Sequence, residues 1–230
     1  TFDSSAATNT LPATVVTTTG TQTLTNKSIA TTQLTGTITP SDSTVSLAKL
    51  TATGTKDATT FLRGDNTFAE VPAGGITEAD QWRLTANLTG DANPISSNLE
   101  RVDSTGFGYI GSGMTESSGV YTFPSTGIYS ILFTQTNKNA SQSSRYSRLD
   151  LDVTTDNSNY TAVAYAMTSL SHINSSTYNN ATGQYIFDVT NTSTHKVRFA
   201  VEHATPGTTD LVGTTTENYT VFTFIRLGDT

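Results

Sequence analysis

The run Gly127-Ile128-Tyr129-Ser130-Ile131-Leu132-Phe133 carries large apolar groups at both parities. Successive side chains of a β-strand point to opposite faces, so Ile128 and Leu132 share one side and Tyr129, Ile131 and Phe133 the other. The closing run Tyr219-Thr-Val-Phe-Thr-Phe-Ile225 repeats the arrangement, with Val221 and Ile225 opposing Phe222 and Phe224. A sandwich strand covered on one side does not leave aromatics to water. One face is therefore predicted to build a core and the other to meet further copies of the same chain. Tyr129, Ile131, Phe133, Phe222 and Phe224 are the expected trimer-interface residues. Burying one such side chain stabilises by about 1.5–3 kcal/mol, so a few per subunit offset the entropy of assembly.

The neighbouring segments read the same way. Tyr121-Thr-Phe123, Tyr146 to Val153, Tyr160 to Met167, Gln184 to Val189 and Lys196 to Val201 are separated by Gly, Asn, Asp, Ser and Pro clusters. Leu149, Leu151 and Val153 alternate with Arg148, Asp150 and Asp152, as Val197, Phe199 and Val201 do with Lys196, Arg198 and Glu202. That is the pattern of strands with one wet face. The regular spacing predicts an all-β head, a sandwich or jelly roll, over residues 76–230.

Before Gly74-Gly75 the composition changes. Residues 1–75 contain no Tyr and no Trp, and single aliphatics stand between Thr, Ser, Ala and Gly. So little large apolar surface cannot build an ordinary core in one chain. A Thr-Gly-Thr step recurs at Gly20, Gly36 and Gly54, an imperfect unit of roughly sixteen to eighteen residues. Short strands and turns of this kind are expected to form an extended trimeric β shaft, with Leu24, Ile29, Leu34, Ile38, Val45, Leu47 and Leu50 facing a common axis. A flexible Thr/Ser linker is the other reading. Phe61-Leu62 and Phe68 flank Gly64-Asp65-Asn66, which predicts a tight hairpin. Its Arg63-Gly64-Asp65 spells an adhesion triplet, but Gly-Asp-Asn is also simply what a turn requires.

The totals exclude several functions. Only 13% of the 230 residues are charged and the net charge is −7. With no Lys/Arg cluster, nothing would hold a phosphate backbone, so no nucleic-acid partner is expected. The absence of cysteine removes disulfides, thiolate metal sites and Cys nucleophiles. The longest apolar runs are far too short to span a bilayer, so no membrane insertion is expected, and no segment resembles a signal peptide.

Motifs with possible chemistry have plainer readings beside them. Gly106-Phe-Gly108-Tyr-Ile-Gly111 fits a dinucleotide pattern, yet no helix is expected after it, so the glycines are read as a bulge or bend. Asp150, Asp152 and Asp156, with Asn157 and Asn159, could offer oxygens to calcium, but the first two are alternate outward residues and the rest is turn composition. His172, His195 and His203 lack zinc-ligand spacing, and no G-x-S-x-G elbow is present. Asn-x-Ser/Thr triplets such as those at Asn87, Asn139 and Asn180 are read as unmodified. No catalytic residue, cofactor or metal is assigned, and the chain is read as not an enzyme. Three long polar loops remain for recognition: Asn137 to Arg145, Ser169 to Asn180 and Thr205 to Thr216. His172, Tyr178, Asn179 and Asn180 are the candidate receptor-contact residues, because Tyr and Asn suit adaptable binding loops.

Two resemblances complete the reading. Gly20-Thr-Gln-Thr-Leu24-Thr-Asn26-Lys27-Ser28-Ile29 and the stretch from Ala48 to Phe68 resemble repeat segments of bacteriophage tail fibres, particularly those of marine phages. Phe123-Pro-Ser-Thr-Gly127-Ile128-Tyr129, then Phe133, closing with Tyr219 to Gly228, is similar to complement C1q/tumour-necrosis-factor-like domains over roughly residues 82 to 228. Asp80-Gln-Trp82-Arg-Leu84 and the stretches Asn98 to Arg101 and Gly106 to Met114 look like phage versions of that head. The family is a ten-strand jelly roll that assembles as a compact trimer and commonly caps a fibrous stalk. Its calcium sites find no matching motif here.

The resemblance implies a structural virion fibre protein on the particle surface, a homotrimer that attaches to the host cell by multivalent binding. Its partners would be itself, other virion structural proteins through the N-terminal region, and a host surface glycan or protein. A capsid decoration or cement protein is the alternative, and a glycan depolymerase a remote one.

Overall fold

The structure is a computed structural model that describes residues 51–70, 74–173 and 175–230. The chain divides into two units, Thr1–Pro72 and Ala73–Thr230. Residues 1–50 of the expected trimeric shaft, with Leu24 to Leu50, lie outside the described residues.

In the first unit the predicted hairpin is present. β1 (Thr60–Leu62) pairs antiparallel with β2 (Phe68–Glu70), Leu62 opposite Phe68. The Arg63 N–H donates to Thr67 O at 2.8 Å and the Asn66 N–H to Arg63 O at 3.0 Å. Asn66 takes the left-handed conformation that asparagine tolerates. The Asp65 carboxylate accepts from the Thr67 N–H and hydroxyl, which lowers it from the ordinary carboxylate value. The adhesion triplet is thus built into the turn, with Asp65 serving the backbone.

The second unit is all-β, with no helix among the described residues. Its strands are β3 (Ala79–Leu84), β4 (Leu88–Thr89), β5 (Leu99–Arg101), β6 (Thr115–Ser117), β7 (Val120–Thr122), β8 (Gly127–Asn139), β9 (Ser144–Thr154), β10 (Thr161–Leu170), β11 (Thr177–Val189), β12 (Lys196–His203), β13 (Thr209–Leu211) and β14 (Val221–Gly228). One sheet runs β10-β9-β12-β7-β6. The other runs β4-β13-β8-β14-β3-β5, with β11 on the free side of β8. Every pairing between neighbouring strands is antiparallel. The chain passes repeatedly from one sheet to the other, as in a jelly roll.

The sheets close on an aromatic core. Phe199 stacks on Phe222 with ring centroids 3.9 Å apart, and Phe123 meets Tyr129 at 4.6 Å. Tyr121 packs edge-on against Trp82 and Phe199. Leu149, Leu151, Val153, Val197, Phe199 and Val201 all point inward, as their alternation predicts.

The expected trimer-interface residues need correcting. Tyr129, Ile131, Phe133, Phe222 and Phe224 are each at most 1% exposed within a single chain. They form this sandwich's own core and present nothing to a second copy. Period two fixes which residues share a face, but not which face turns inward when both are apolar. The bulkier, aromatic set took the interior.

Midway along β8 the interior changes character. After Tyr129, Ile131 and Phe133 the inward positions are Gln135, Asn137 and Asn139, all buried. Gln135 Nε2 donates to Ser147 O at 3.0 Å and Ala166 O at 2.7 Å. The Ser147 hydroxyl donates to Asn137 Oδ1 at 2.6 Å, and Asn139 Nδ2 donates to the Thr209 hydroxyl at 3.0 Å. One end of the sandwich is therefore filled by amides and hydroxyls that are hydrogen-bonded to one another's neighbours, save Asn137 Nδ2, which is buried without a partner.

Candidate functional site

The site begins with what the strands turn outward. The β8–β11 and β8–β14 registers place Ile186, Ser130 and Ile225 in one row across the larger sheet, Gln184, Leu132 and Thr223 in the next, and Thr182, Thr134 and Val221 in a third. Arg83 extends the third row on β3 but is fully buried beneath the loops around it. These rows expose Leu132 (40%) and Ile186 (51%) and no charged side chain. Their hydroxyls and amides pair laterally: Thr134 with Thr182 at 2.9 Å, and Gln184 Nε2 to Ser130 Oγ at 2.9 Å. The result is a flat, nearly uncharged face.

One row further along β8, at Thr136 and Lys138, the same face becomes a groove. It encloses about 400 Å³ between Asn87, Thr136, Lys138, Tyr178, Val212 and Tyr219. Tyr178 stands on β11 directly opposite Lys138 on β8. Tyr219 precedes β14, held by the Thr136 hydroxyl donating to its carbonyl at 2.7 Å. Both rings are open, Tyr178 at 56% and Tyr219 at 40%. The Glu217 carboxylate beside Tyr219 pushes its phenol up. Asn87 accepts the Gly213 N–H at 3.2 Å through Oδ1. Asp210 lies across from Lys138 on β13 and accepts the Thr89 hydroxyl at 2.6 Å.

The receptor-contact candidates meet different fates. Tyr178, Asn179 and Asn180 sit within β11, because this strand begins at Thr177 and not near Gln184. Their polar run looks like a loop, yet it pairs residue by residue with the polar half of β8. Tyr178 lines the groove; Asn179 Nδ2 donates back to Ser169 O at 2.8 Å. Asn180 is exposed on β11, opposite Thr136. His172 lies in the β10–β11 connection, its N–H on the Ser143 hydroxyl at 2.9 Å. Asn137 and Asn139, placed by sequence in a recognition loop, face the interior. Lys138 and Tyr219 escape sequence reading, since nothing local signals that they come together.

The other motifs are absorbed by the fold. In the glycine-rich stretch, Glu78 Oε2 accepts the N–H groups of Ser112 at 2.9 Å and Gly113 at 3.1 Å, and Asp80 Oδ2 accepts that of Met114 at 2.7 Å. A loop that could cradle a phosphate is filled by the chain's own carboxylates. Gly111 must be glycine, with a left-handed φ of 76° and Thr77 O 2.5 Å from where a Cβ would stand.

Asp150 and Asp152 alternate with the core residues as expected, but the face is not wet there: they are only 8% and 6% exposed, with Arg148 paired to Asp150 at 2.9 Å and Arg198 to Asp152 at 3.1 Å. Burial pushes the Asp150 carboxyl up despite its arginine. Asp156 accepts the N–H groups of Asn159 and Ser158 at 2.8 and 2.9 Å, which hold it far below the usual range. No group of three or more His, Asp or Glu suited to a metal ion occurs among the described residues.

No family model matches the chain, and no curated protein matches it. Among solved structures it is similar to Eiger TNF from S. frugiperda, at 14% identity over 66% of this chain and 93% of that one, TM-score 0.48. It is similar to murine APRIL at pH 5.0, at 9% identity over 65% and 98%, TM-score 0.47. It is also similar to the globular domain of zebrafish complement 1qA protein, at 15% identity over 66% and 99%, TM-score 0.42.

Proposed function

We propose that this chain is a non-catalytic fibre protein of a virus particle, a homotrimer whose head attaches the particle to the host cell surface by multivalent binding. The observation that carries the reading is the outward face of the larger sheet. The sandwich already owns a complete aromatic core, yet it leaves Leu132, Ile186 and flanking Ile, Val and Thr side chains open with no charge among them. A free surface normally carries interspersed charge, and edge-to-edge or face association is what such a patch favours. The Thr-rich, repetitive first part of the chain supports a shaft, and a shaft with three heads multiplies weak contacts into avidity.

Sedimentation of the full chain at micromolar concentration tests the assembly. A trimer that Leu132→Glu converts to folded monomer is expected, and a well-folded monomer of the unaltered chain overturns the reading. Blocking of particle adsorption by the purified protein tests the attachment.

A further inference from the structure

We infer that the groove between Tyr178 and Tyr219 is a sugar-binding site that takes a neutral pyranose unit of a surface glycan. The inference rests on the attachment reading for its biological role, but not for its chemistry.

Two open phenol rings meet one groove from separate segments, Tyr178 from β11 and Tyr219 from the turn just before β14. Exposed rings of this kind offer rigid amphipathic contact at little entropic cost. The face of a pyranose, with its axial C–H groups, is the natural complement of a π-surface whose face carries negative charge. Around the rings stand an amide at Asn87 and an ammonium at Lys138. Among the described residues, neither the Lys138 ammonium nor the Tyr178 hydroxyl has a hydrogen-bond or ion-pair partner. Val212 is the only aliphatic side chain in the lining, so no apolar anchor of a protein partner would find a deep socket. A volume near 400 Å³ lies within the ~300–1,000 Å³ of small-ligand sites.

Charge selects a neutral ligand. Lys138 is the cation of the groove, but Asp210 lies across from it in the β8–β13 register and Glu217 stands beside Tyr219. The local field therefore has no positive excess to draw an anion, and the whole chain is acidic at −7. A phosphate, nucleotide or uronic polymer is disfavoured, whereas vicinal hydroxyls can use both the donor and the acceptors.

Saturation-transfer NMR of the full chain with a panel of neutral hexose trisaccharides, and with uronic trisaccharides in parallel, tests this. Protons on one face of a bound sugar should saturate strongly. Tyr178→Ala and Tyr219→Ala should each weaken binding at least tenfold, and Tyr178→Phe should retain it. The proposal is overturned if no member of the panel binds, if binding survives the Tyr178→Ala/Tyr219→Ala double variant, or if only uronic trisaccharides bind. The double variant alters exposed rings, and its unchanged melting curve certifies the fold. Sugar binding by a protein that does not block adsorption would uphold the groove and remove the attachment role; blocking without sugar binding would do the reverse.

Discussion

The ring of Phe133 lies over Gly183, its partner across the β8–β11 ladder, and a Cβ on Gly183 would stand 2.3 Å from Phe133 Cζ. The glycine is the space into which the aromatic fits. Gly183→Val should force Phe133 off its place and cost about 1–3 kcal/mol by overpacking. Phe133→Ala should cost about 3–5 kcal/mol by leaving a cavity. Urea titration of the two single variants and the double checks the relationship. If the pair shares one volume, the double variant must cost less than the sum of the singles.

Arg83 is fully buried yet charged, and it ties β3 to two loops. Its Nε donates to Glu100 Oε1 at 2.7 Å and its Nη1 to the Ser104 hydroxyl at 2.7 Å, while Nη2 serves Asp103 and the Thr215 carbonyl. Arg83→Met removes a fork that no other side chain reproduces; Asp103 stays open to water and Glu100 partly so, and the lost hydrogen bonds should cost about 1–3 kcal/mol. Arg83→Lys should recover little, because an ammonium cannot span four acceptors in one plane. Proteolysis near Ser104 and Thr215 should quicken in both variants. Equal protection in Arg83→Met and the parent would refute this anchoring.

His203 is buried on the inward side of β12, and burial pushes its imidazole below the ordinary value of 6.5 despite Asp91 and Asp210 nearby. The unfolded chain therefore takes up the proton first. Stability should be full above pH 6.5 and should fall as the pH drops from there toward the folded value. Asp150 acts in the opposite sense. Its raised folded value makes a stabilising contribution that is complete below the ordinary 3.8 and lost as the pH rises through the folded value. The difference between parent and His203→Asn isolates the histidine. Chemical denaturation at about pH 7.5 and about pH 5.5 should show a smaller pH effect in the variant; an identical effect in both would sink the assignment.

Leu132 and Phe133 are chain neighbours on opposite faces, one 40% exposed and the other fully buried. Leu132→Glu should separate subunits while leaving the urea midpoint of the monomer within about 0.5 kcal/mol of its own baseline, as surface changes do. Phe133→Ala should lower stability at every protein concentration. Sedimentation and denaturation run side by side separate the two outcomes, and loss of folding in Leu132→Glu would assign that residue to the core instead.

Much of this fold was legible because apolar alternation is a local signal. The inward sets Leu149–Leu151–Val153 and Val197–Phe199–Val201 are where period two puts them. Ile128 to Phe133 defeated the same argument, since both parities are apolar and only long-range packing chooses between them. Residues 137–139 and 177–180 read as parts of loops because they are polar. They are strands because each finds the other, at a separation no window along the chain can span. Tyr178 was within reach of composition alone. Its companions in the groove, Lys138 and Tyr219, were not, because β8, β11 and β14 converge only after the sheet has formed.

The polar half of β8 wears two inventories on alternate residues. Gln135, Asn137 and Asn139 are committed to one another's neighbours inside, while Thr136 and Lys138 between them face the groove. Changing an inward member orphans a buried partner; changing an outward one does not. The outward letters of this strand can thus change one by one on a backbone whose inward letters hold it in place.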